Sequence, residues 1–464
     1  MLTTPTLHDI VEFTNNPNLT SFASLLCLIL ILLLSNIFKK NSSCKVFLVD
    51  FTCYKSPSTQ ICSSEMFLDR IRHCGKFSEA SLEFMQAILE KSGLGQSTYL
   101  PESFLRKPMN PCLKNARREA EMVMFGAVDD LLAKTGVECK DIGIVIVNYC
   151  VFNVVPSLSD MIVNRYKLGE DTVCYNLSGM GCSAGLIAIG LAKQLLQVRH
   201  KSHALVVSTE NITQHGYFGD DRSKLLTNCI FRVGGAAILL TNRPSVSKVP
   251  KYQLIHTVHN HTAASDRSYN CIFQDEDHQG QMGVTITKDL MVVACKTIEA
   301  NIITLGRLVL PIQEQILYVT NYIIRCFALT KVDPYVPNFK NTFDHIITHV
   351  GGKPVLDEVK RNLDLTESDM EASRMTLYRF GNTSSSSVWY GLAYMEAKGR
   401  IKRGDRVWQI AFGSGFKCSS VIWRAMKTVD REKNNPWSDE VDEFPVDLEI
   451  LESFPYHFEA SKNV

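Results

Sequence analysis

Cys182 stands in the stretch GMGCSAG, residues 179–185, with an apolar run following it to Leu196. That pattern puts a thiol where a helix begins. Unpaired N–H groups and the helix dipole favour an anion at such a place, and a thiolate there titrates below the free value of about 8.5. Glycines on both sides let a substrate carbonyl approach backbone N–H groups that can hold an oxyanion. The competing reading is a small buried hydrophobe in a tight corner; the flanking glycines favour the nucleophile.

A thiol nucleophile needs a base and a hydrogen-bond donor. Twelve histidines are available. His349 ends the branched run HIITHV and precedes Gly351-Gly352, and strand ends that face glycine loops are where sites form in layered α/β folds. His345, four residues earlier, would point to the same side of a strand but about two pairs away. No HExxH or cysteine ligand set accompanies the pair, so a metal site is disfavoured. His256, His259 and His261 alternate as on a strand with one solvated face. Asn382, in RFGNTSSSSVWY, is either a helix N-cap or an amide donor for a developing enolate or oxyanion. Gly413-Ser414-Gly415 can bring a further backbone N–H to the same place. Cysteine, histidine and asparagine together also serve papain-like proteases, but the C-G-[SA]-C-[WY] signature of those enzymes is missing. Condensation of thioesters is the better reading.

The elements that must hold these groups are legible. Residues 141–149 (DIGIVIVNY) form a buried strand, 173–176 a second, 183–196 a fully buried helix and 203–210 a third strand. The second half repeats the parts: a strand over 345–352, then 405–416 running into the glycine loop, with a helix expected from Lys417. Two α/β halves around a buried central helix predict an internally duplicated α-β-α-β-α sandwich, the first half spanning 46–250 and the second 251–430. The acidic stretch 431–464 is expected to pack on the surface as a tail or to be partly disordered.

The bulk properties narrow the setting. The net charge of +1 implies no nucleic acid. Fifteen cysteines, an odd number without a CxxC pair in a large chain, fit a reducing compartment. Residues 22–38 (FASLLCLILILLLSNIF) are uncharged, and as a helix they would span roughly 26 Å at about 1.5 Å per residue. Asp9 and Glu12 precede this stretch; Lys39, Lys40 and Lys45 follow it. A signal peptide has the opposite arrangement, so a single uncleaved anchor at about 20–38 within a segment 1–45 is expected, with the larger part of the chain cytosolic. Residues 305–329 are also apolar but carry Arg307, Glu314 and Arg325. They should form an amphipathic core helix broken at Pro311, with docking at a membrane interface the lesser alternative.

The motifs above, together with VFLVDFTCYKSP, GLGQSTYLPES, PSLSDMIVNRYKL, STENIT, NCIFRVGGAAILLTN, SYNCIFQDED, HVGGKPVLDE and VWQIAFGSGFKC, closely resemble the plant 3-ketoacyl-CoA synthases, acyltransferases that carry out the condensation step of very-long-chain fatty acid elongation. The resemblance runs from about residue 46 to 423. It implies a thiolase-like five-layer fold, usually as a homodimer, at the cytosolic face of the endoplasmic reticulum membrane. It implies long-chain acyl-CoA and malonyl-CoA as substrates, no bound cofactor, no metal, and elongase partners: a ketoacyl reductase, a dehydratase and an enoyl reductase. It places the nucleophile at Cys182 and the assisting residues at His349 and Asn382, and it marks His261 and His345 as functionally sensitive. Tyr378 stands where the family usually has histidine, which bears on substrate range. The alternatives are a non-catalytic elongase subunit of the same fold and a type III polyketide synthase-like condensing enzyme.

Overall fold

Along Ile142–Asn148 every residue is buried, yet the two faces of the strand serve different cores. Ile144 and Ile146 point into one apolar cluster and Val145 and Val147 into another. Branched residues at a period of two, buried on both faces, are what a strand between two helical layers requires. In a computed structural model of the chain, residues 44–448 are described apart from 200, 244–248, 328–331, 334, 336, 338 and 340. The anchor expected at 20–38 lies outside the described residues.

The strands are β1 (Phe47–Cys53), β2 (Ile61–Cys62), β3 (Thr98–Tyr99), β4 (Ile142–Asn148), β5 (Val173–Leu177), β6 (His203–Thr209), β7 (Gly235–Thr241), β8 (Tyr252–His261), β9 (Ile272–Glu276), β10 (Met282–Ile286), β11 (His345–Thr348), β12 (Arg406–Gly413) and β13 (Lys417–Ala425). Nine of them make one mixed sheet in the order β11-β12-β13-β8-β1-β7-β6-β4-β5. β2 with β3, and β9 with β10, form small ribbons. The large sheet is continuous only because β1 meets β8 through the pairs Phe47↔Gln253 and Leu48↔Tyr252.

Two helices lie between the sections of sheet on either side of that junction. Ala184–Val198 packs on β4 and β6 and also on β8, β12 and β13. Ser387–Ala397 packs on β1 and on β11 and β12. Each begins with a single 3₁₀ turn, Gly181–Ser183 in one case and Ser384–Ser386 in the other, and the two turns touch. Outside, Leu113–Thr135 covers β1, β6 and β7, and Leu290–Val309 covers β8, β12 and β13. The stretch Gly181–Val198 is, among the described residues, long and apolar enough to cross a bilayer, but it is largely buried inside the fold.

Three expectations need correction. The chain after Lys417 is strand β13, antiparallel to β12 from Gly413↔Lys417 to Arg406↔Arg424. CSSVIW carries the alternation and branching of a strand, and the glycine loop is the turn of a hairpin. The break at Pro311 is present between helices Leu290–Val309 and Ile312–Phe327, but the second helix is not core: Ile312, Ile316, Leu317, Val319 and Ile324 are all about half exposed or more. The acidic stretch after Arg431 contributes a fully buried side chain, Trp437, whose Nε1–H donates to Tyr390 O at 3.0 Å; its indole packs on Phe380, Tyr394 and Phe444.

A buried ion cluster sits at the β1–β8 junction. The Lys251 ammonium, with no exposure, lies 3.0 Å from Asp50, 2.8 Å from Glu396 and 3.0 Å from Glu432. Tyr252 Oη donates to Glu396 at 2.8 Å. Burial disfavours the ammonium, but the three carboxylates outweigh burial and hold Lys251 above its ordinary value. Lys251 thus ties β1, the helix Ser387–Ala397 and the C-terminal segment together, and Lys134 adds a second cation on Asp50 and Glu432. Lys251→Met should cost about 3–5 kcal/mol by stranding the buried Glu396, since Asp50 and Glu432 keep Lys134 as a partner, read as a fall in thermal midpoint of the purified full chain. Lys251→Met with Glu396→Leu should recover a large part of the loss; a single variant that melts like the parent would contradict the role given to the cluster.

Candidate active site

The glycine loop after β12 meets the turn that carries Cys182. A Cβ at Gly413 would lie 2.5 Å from Cys182 N, and one at Gly181 would lie 2.5 Å from Ser414 N. Gly181 also has φ +63°, in the left-handed region that side chains resist. No other residue fits either position without separating the two backbones. Gly415, at φ +119°, lets the loop turn back into β13.

The Asn382 loop reaches the same place from the other helix. Asn382 is buried, and its Oδ1 accepts the Ser384 N–H at 2.9 Å. This is the local capping role considered from the sequence, and it turns the amide's NH₂ away from Ser384 as a donor. The backbone of Asn382 is fixed by Ile230 O and by Arg232 N–H, at 3.1 and 3.0 Å. Ser384 has φ +55°, a costly conformation for a non-glycine residue. It sets the Ser384 hydroxyl 3.6 Å from Cys182 Sγ and 3.0 Å from Glu210 Oε2. Glu210 is buried and also accepts N–H bonds from Cys150 and Val151, at 3.2 and 3.3 Å.

His349 follows β11, which is parallel to β12, and its N–H donates to Ile410 O at 2.9 Å. The ring is buried; Nδ1 lies 2.8 Å from Ser387 Oγ, and Phe412 stands edge-on to the imidazole at 5.6 Å. Phe412 adjoins Gly413, and Ser387 follows the 3₁₀ turn of Ser384. The turn of Cys182 therefore touches both the turn after Asn382 and the loop after Phe412, and His349 sits against Phe412 and Ser387. A hydroxyl partner can donate or accept, so Nδ1 is satisfied in both imidazole tautomers, leaving Nε2 as acceptor or as N–H donor.

Burial governs the charges. The Cys182 thiol is pushed up to about 12, chiefly by desolvation; the Ser384 hydroxyl lowers it and the Glu210 charge raises it. This reverses the thiolate expected from the helix start: removal from water outweighs the favourable N-terminal field. Burial drives His349 down to about 3. The resting pair is therefore a neutral thiol and a neutral imidazole. Cys150 is also raised, by burial and then by Glu210.

Other sequence candidates fall elsewhere. His345 begins β11, at the opposite end from His349, with Nε2 at 2.9 Å from Asp405 Oδ2. His261 is exposed at the end of β8, paired in register with Lys417. Tyr378 accepts the Gly95 N–H through its backbone carbonyl at 2.7 Å, and its ring packs against Phe444. Sequence reasoning assigned no role to Ser384, Ser387, Glu210 or Phe412. Their signals, the hydroxyl run after Asn382, STE at residues 208–210 and the residue before the glycine loop, were visible but had no geometry attached. Among the described residues no cluster of metal-ligating side chains occurs, and the cysteines are free thiols.

Residues 37–327 match the model of the FAE1/type III polyketide synthase-like proteins, and residues 340–425 match the C-terminal domain of 3-oxoacyl-[acyl-carrier-protein] synthase III. The chain is 57% identical over 435 residues to 3-ketoacyl-CoA synthase 2 of Arabidopsis thaliana, covering 92% of this chain and 81% of that one. It is 55% identical over 423 residues to 3-ketoacyl-CoA synthase 11 of the same plant, covering 91% and 83%. Solved structures of similar fold include a point mutant of CsyB, with TM-score 0.63 and 20% identity over 82% of this chain and all of that one. Another is the type III polyketide synthase domain of Steely1 from Dictyostelium, with TM-score 0.61 and 17% identity over 82% and 99%. The fold is accordingly α/β and thiolase-like, with a mixed sheet, and the chain belongs to the FAE1/type III polyketide synthase-like family, among the 3-ketoacyl-CoA synthases.

Proposed function

We propose that the chain condenses malonyl-CoA with a long-chain acyl-CoA to give a 3-ketoacyl-CoA two carbons longer, the first step of very-long-chain fatty acid elongation. The observation that supports this reading is the contact of the Cys182 turn with the glycine loop after Phe412 and with the turn after Asn382, with His349 packed on Phe412 and Ser387. Cys182 Sγ attacks the acyl carbonyl as its proton passes to His349 Nε2. The C–S bond to CoA breaks, and CoA leaves as the thiol with that proton. Malonyl-CoA then binds and its C–CO₂⁻ bond breaks. Electrons flow onto the thioester oxygen, which takes hydrogen bonds from the Asn382 amide and from His349 once the neutral ring has exchanged to its Nε2–H tautomer, with Nδ1 then accepting from the Ser387 hydroxyl. The resulting enolate carbon attacks the acyl-cysteine and expels the Cys182 thiolate, which is reprotonated from solvent. The substrates are CoA thioesters.

The duplicated layering is supported by the two equivalent helices, each entered by a 3₁₀ turn and each packed between sections of sheet. Homodimerisation is supported by β5, a sheet-edge strand with Val173 and Tyr175 more than a third exposed. A single-pass anchor at about 20–38, with the remainder of the chain on the cytosolic face of the endoplasmic reticulum, rests on the charge pattern of the first 45 residues. The outward apolar residues of Ile312–Phe327 add support for membrane contact, since an interface accepts a face that water does not. In that setting a ketoacyl reductase, a dehydratase and an enoyl reductase would act on the product in turn.

Cys182→Ser should lower incorporation of radiolabelled malonyl-CoA in microsomes by at least about a thousandfold, while the protein stays in the membrane fraction. Normal product from that variant would remove the nucleophile assignment. The pH dependence follows from the shifts. The thiol stays protonated below about 12 and the imidazole unprotonated above about 3. Single-turnover acylation should therefore be flat between roughly pH 6 and 9, with no inflection at the ordinary imidazole value of about 6.5; an inflection there would show that His349 is not held neutral.

A further inference from the structure

Lys417 opens β13 beside the glycine loop and takes no part in the condensation steps. Its Nζ donates to Ser414 O at 3.1 Å, and among the described residues it has no carboxylate partner. A Cβ at Gly415 would collide with that ammonium, so the glycine leaves it room. Burial holds the amine below the ordinary lysine value, and the nearby Cys150 acts against that pull. Cys150 is tied to the chain leading into Cys182, since its carbonyl accepts the Gly179 N–H at 3.1 Å. On the other side, Ser414 N would lie 2.5 Å from a Cβ on Gly181. Covalent geometry then puts the ammonium no more than about 11 Å from Gly181 Cα. His261, the cross-strand partner of Lys417, is exposed and adds a second basic side chain on the same face of the sheet.

A partly buried ammonium bonded to one carbonyl still has donors and a full charge to satisfy. A CoA thioester brings two kinds of anion to it. The phosphates lie beyond the whole pantetheine arm, whereas the malonyl group carries its carboxylate one carbon from the thioester carbonyl. A cation this close to the turn of the nucleophile meets the second kind. We propose that Lys417 receives the malonyl carboxylate and so distinguishes malonyl-CoA from an acyl-CoA, which has no charge at its acyl end. The proposal rests on the condensation reading of Cys182 and gives that reading its choice of extending thioester. As the C–CO₂⁻ bond breaks, its electron pair passes toward the thioester oxygen and neutral CO₂ departs. The ion pair is therefore stronger in the ground state than in the transition state, and it acts on binding and not on the chemical step.

In the purified full chain, Lys417→Met should raise KM for malonyl-CoA about tenfold while kcat holds or rises. Lys417→Arg should keep KM near the parental value. Single-turnover transfer of the acyl group from acyl-CoA to Cys182 should be unchanged in Lys417→Met, which with a parental melting curve shows that the variant is folded. Malonyl-pantetheine, which has no phosphate, should show the same rise in KM. A rise seen with malonyl-CoA and acyl-CoA alike but absent with malonyl-pantetheine would mean a phosphate contact and overturn the proposal; so would an unchanged KM, or a loss confined to kcat. Calorimetry separates this result from the condensation reading. Malonyl-CoA binding weakened about tenfold by Lys417→Met, with acetyl-CoA binding unchanged, in a parent that elongates nothing, would support Lys417 as a carboxylate site and overturn the condensation reading instead.

Discussion

Two glycines from distant parts of the chain make the site possible. At Gly181 and Gly413 a single added carbon would collide with the opposing backbone at 2.5 Å. Neither contact is a hydrogen bond or an ion pair; each is an excluded volume left empty. The consequence is that the thiol-bearing turn and the loop after β12 approach to backbone contact. Everything else at the site is referred to that approach. Phe412, next to Gly413, places the His349 ring. The turn at Ser384, against the turn at Cys182, places the Asn382 amide. The buried cluster around Lys251 works at the β1–β8 junction and ties strand, inner helix and C-terminal segment into one frame.

The second governing term is desolvation. A helix start was expected to ionise Cys182, and the helix start is present, but the sulfur is pushed to about 12. A field from one turn of backbone dipoles contributes on the order of 0.3–1 kcal/mol, whereas withdrawal from water can move a buried group by several units. The same withdrawal neutralises His349. A neutral pair suits the condensation proposed for this site, in which the proton would move only when an acyl carbonyl is in place and the imidazole would next present an N–H to an enolate oxygen. Ser384 adds a refinement. Its hydroxyl has one proton and two acceptors, Cys182 Sγ and Glu210. As charge grows on sulfur, that proton is drawn to it.

How much of this could be seen in the chain itself varies with the length scale. Strands with strict alternation, such as Ile142–Asn148, and the apolar helix after Cys182 are legible because local periodicity encodes burial. The strand after Lys417 was mistaken for a helix because a short apolar run carries both periods, and only the hairpin with β12 decides between them. Cys182, His349 and Asn382 stand out as candidates through their glycine and hydroxyl surroundings. Ser387, Glu210 and Phe412 were not, since each matters through a partner remote in sequence. Trp437 shows the same limit: an acidic, aperiodic stretch hides one indole that seats the whole segment.

Ile312–Phe327 is held by a different balance of forces. Tyr318, Asn321, Tyr322 and Arg325, spaced by three and four, line a cavity, while Ile312, Ile316, Val319 and Ile324 face outward. A surface helix of a water-soluble domain has the reverse arrangement. The inner polar groups are used structurally: Asn321 Nδ2 donates to Asp333 O at 3.1 Å, and Glu314 accepts from Tyr335 Oη at 2.7 Å, holding the following segment against the helix. The helix is thus pinned from within and apolar without. Those two bonds hold the helix to the chain that follows it, so its exposed apolar residues are kept at the surface by polar anchors and not by burial of their own.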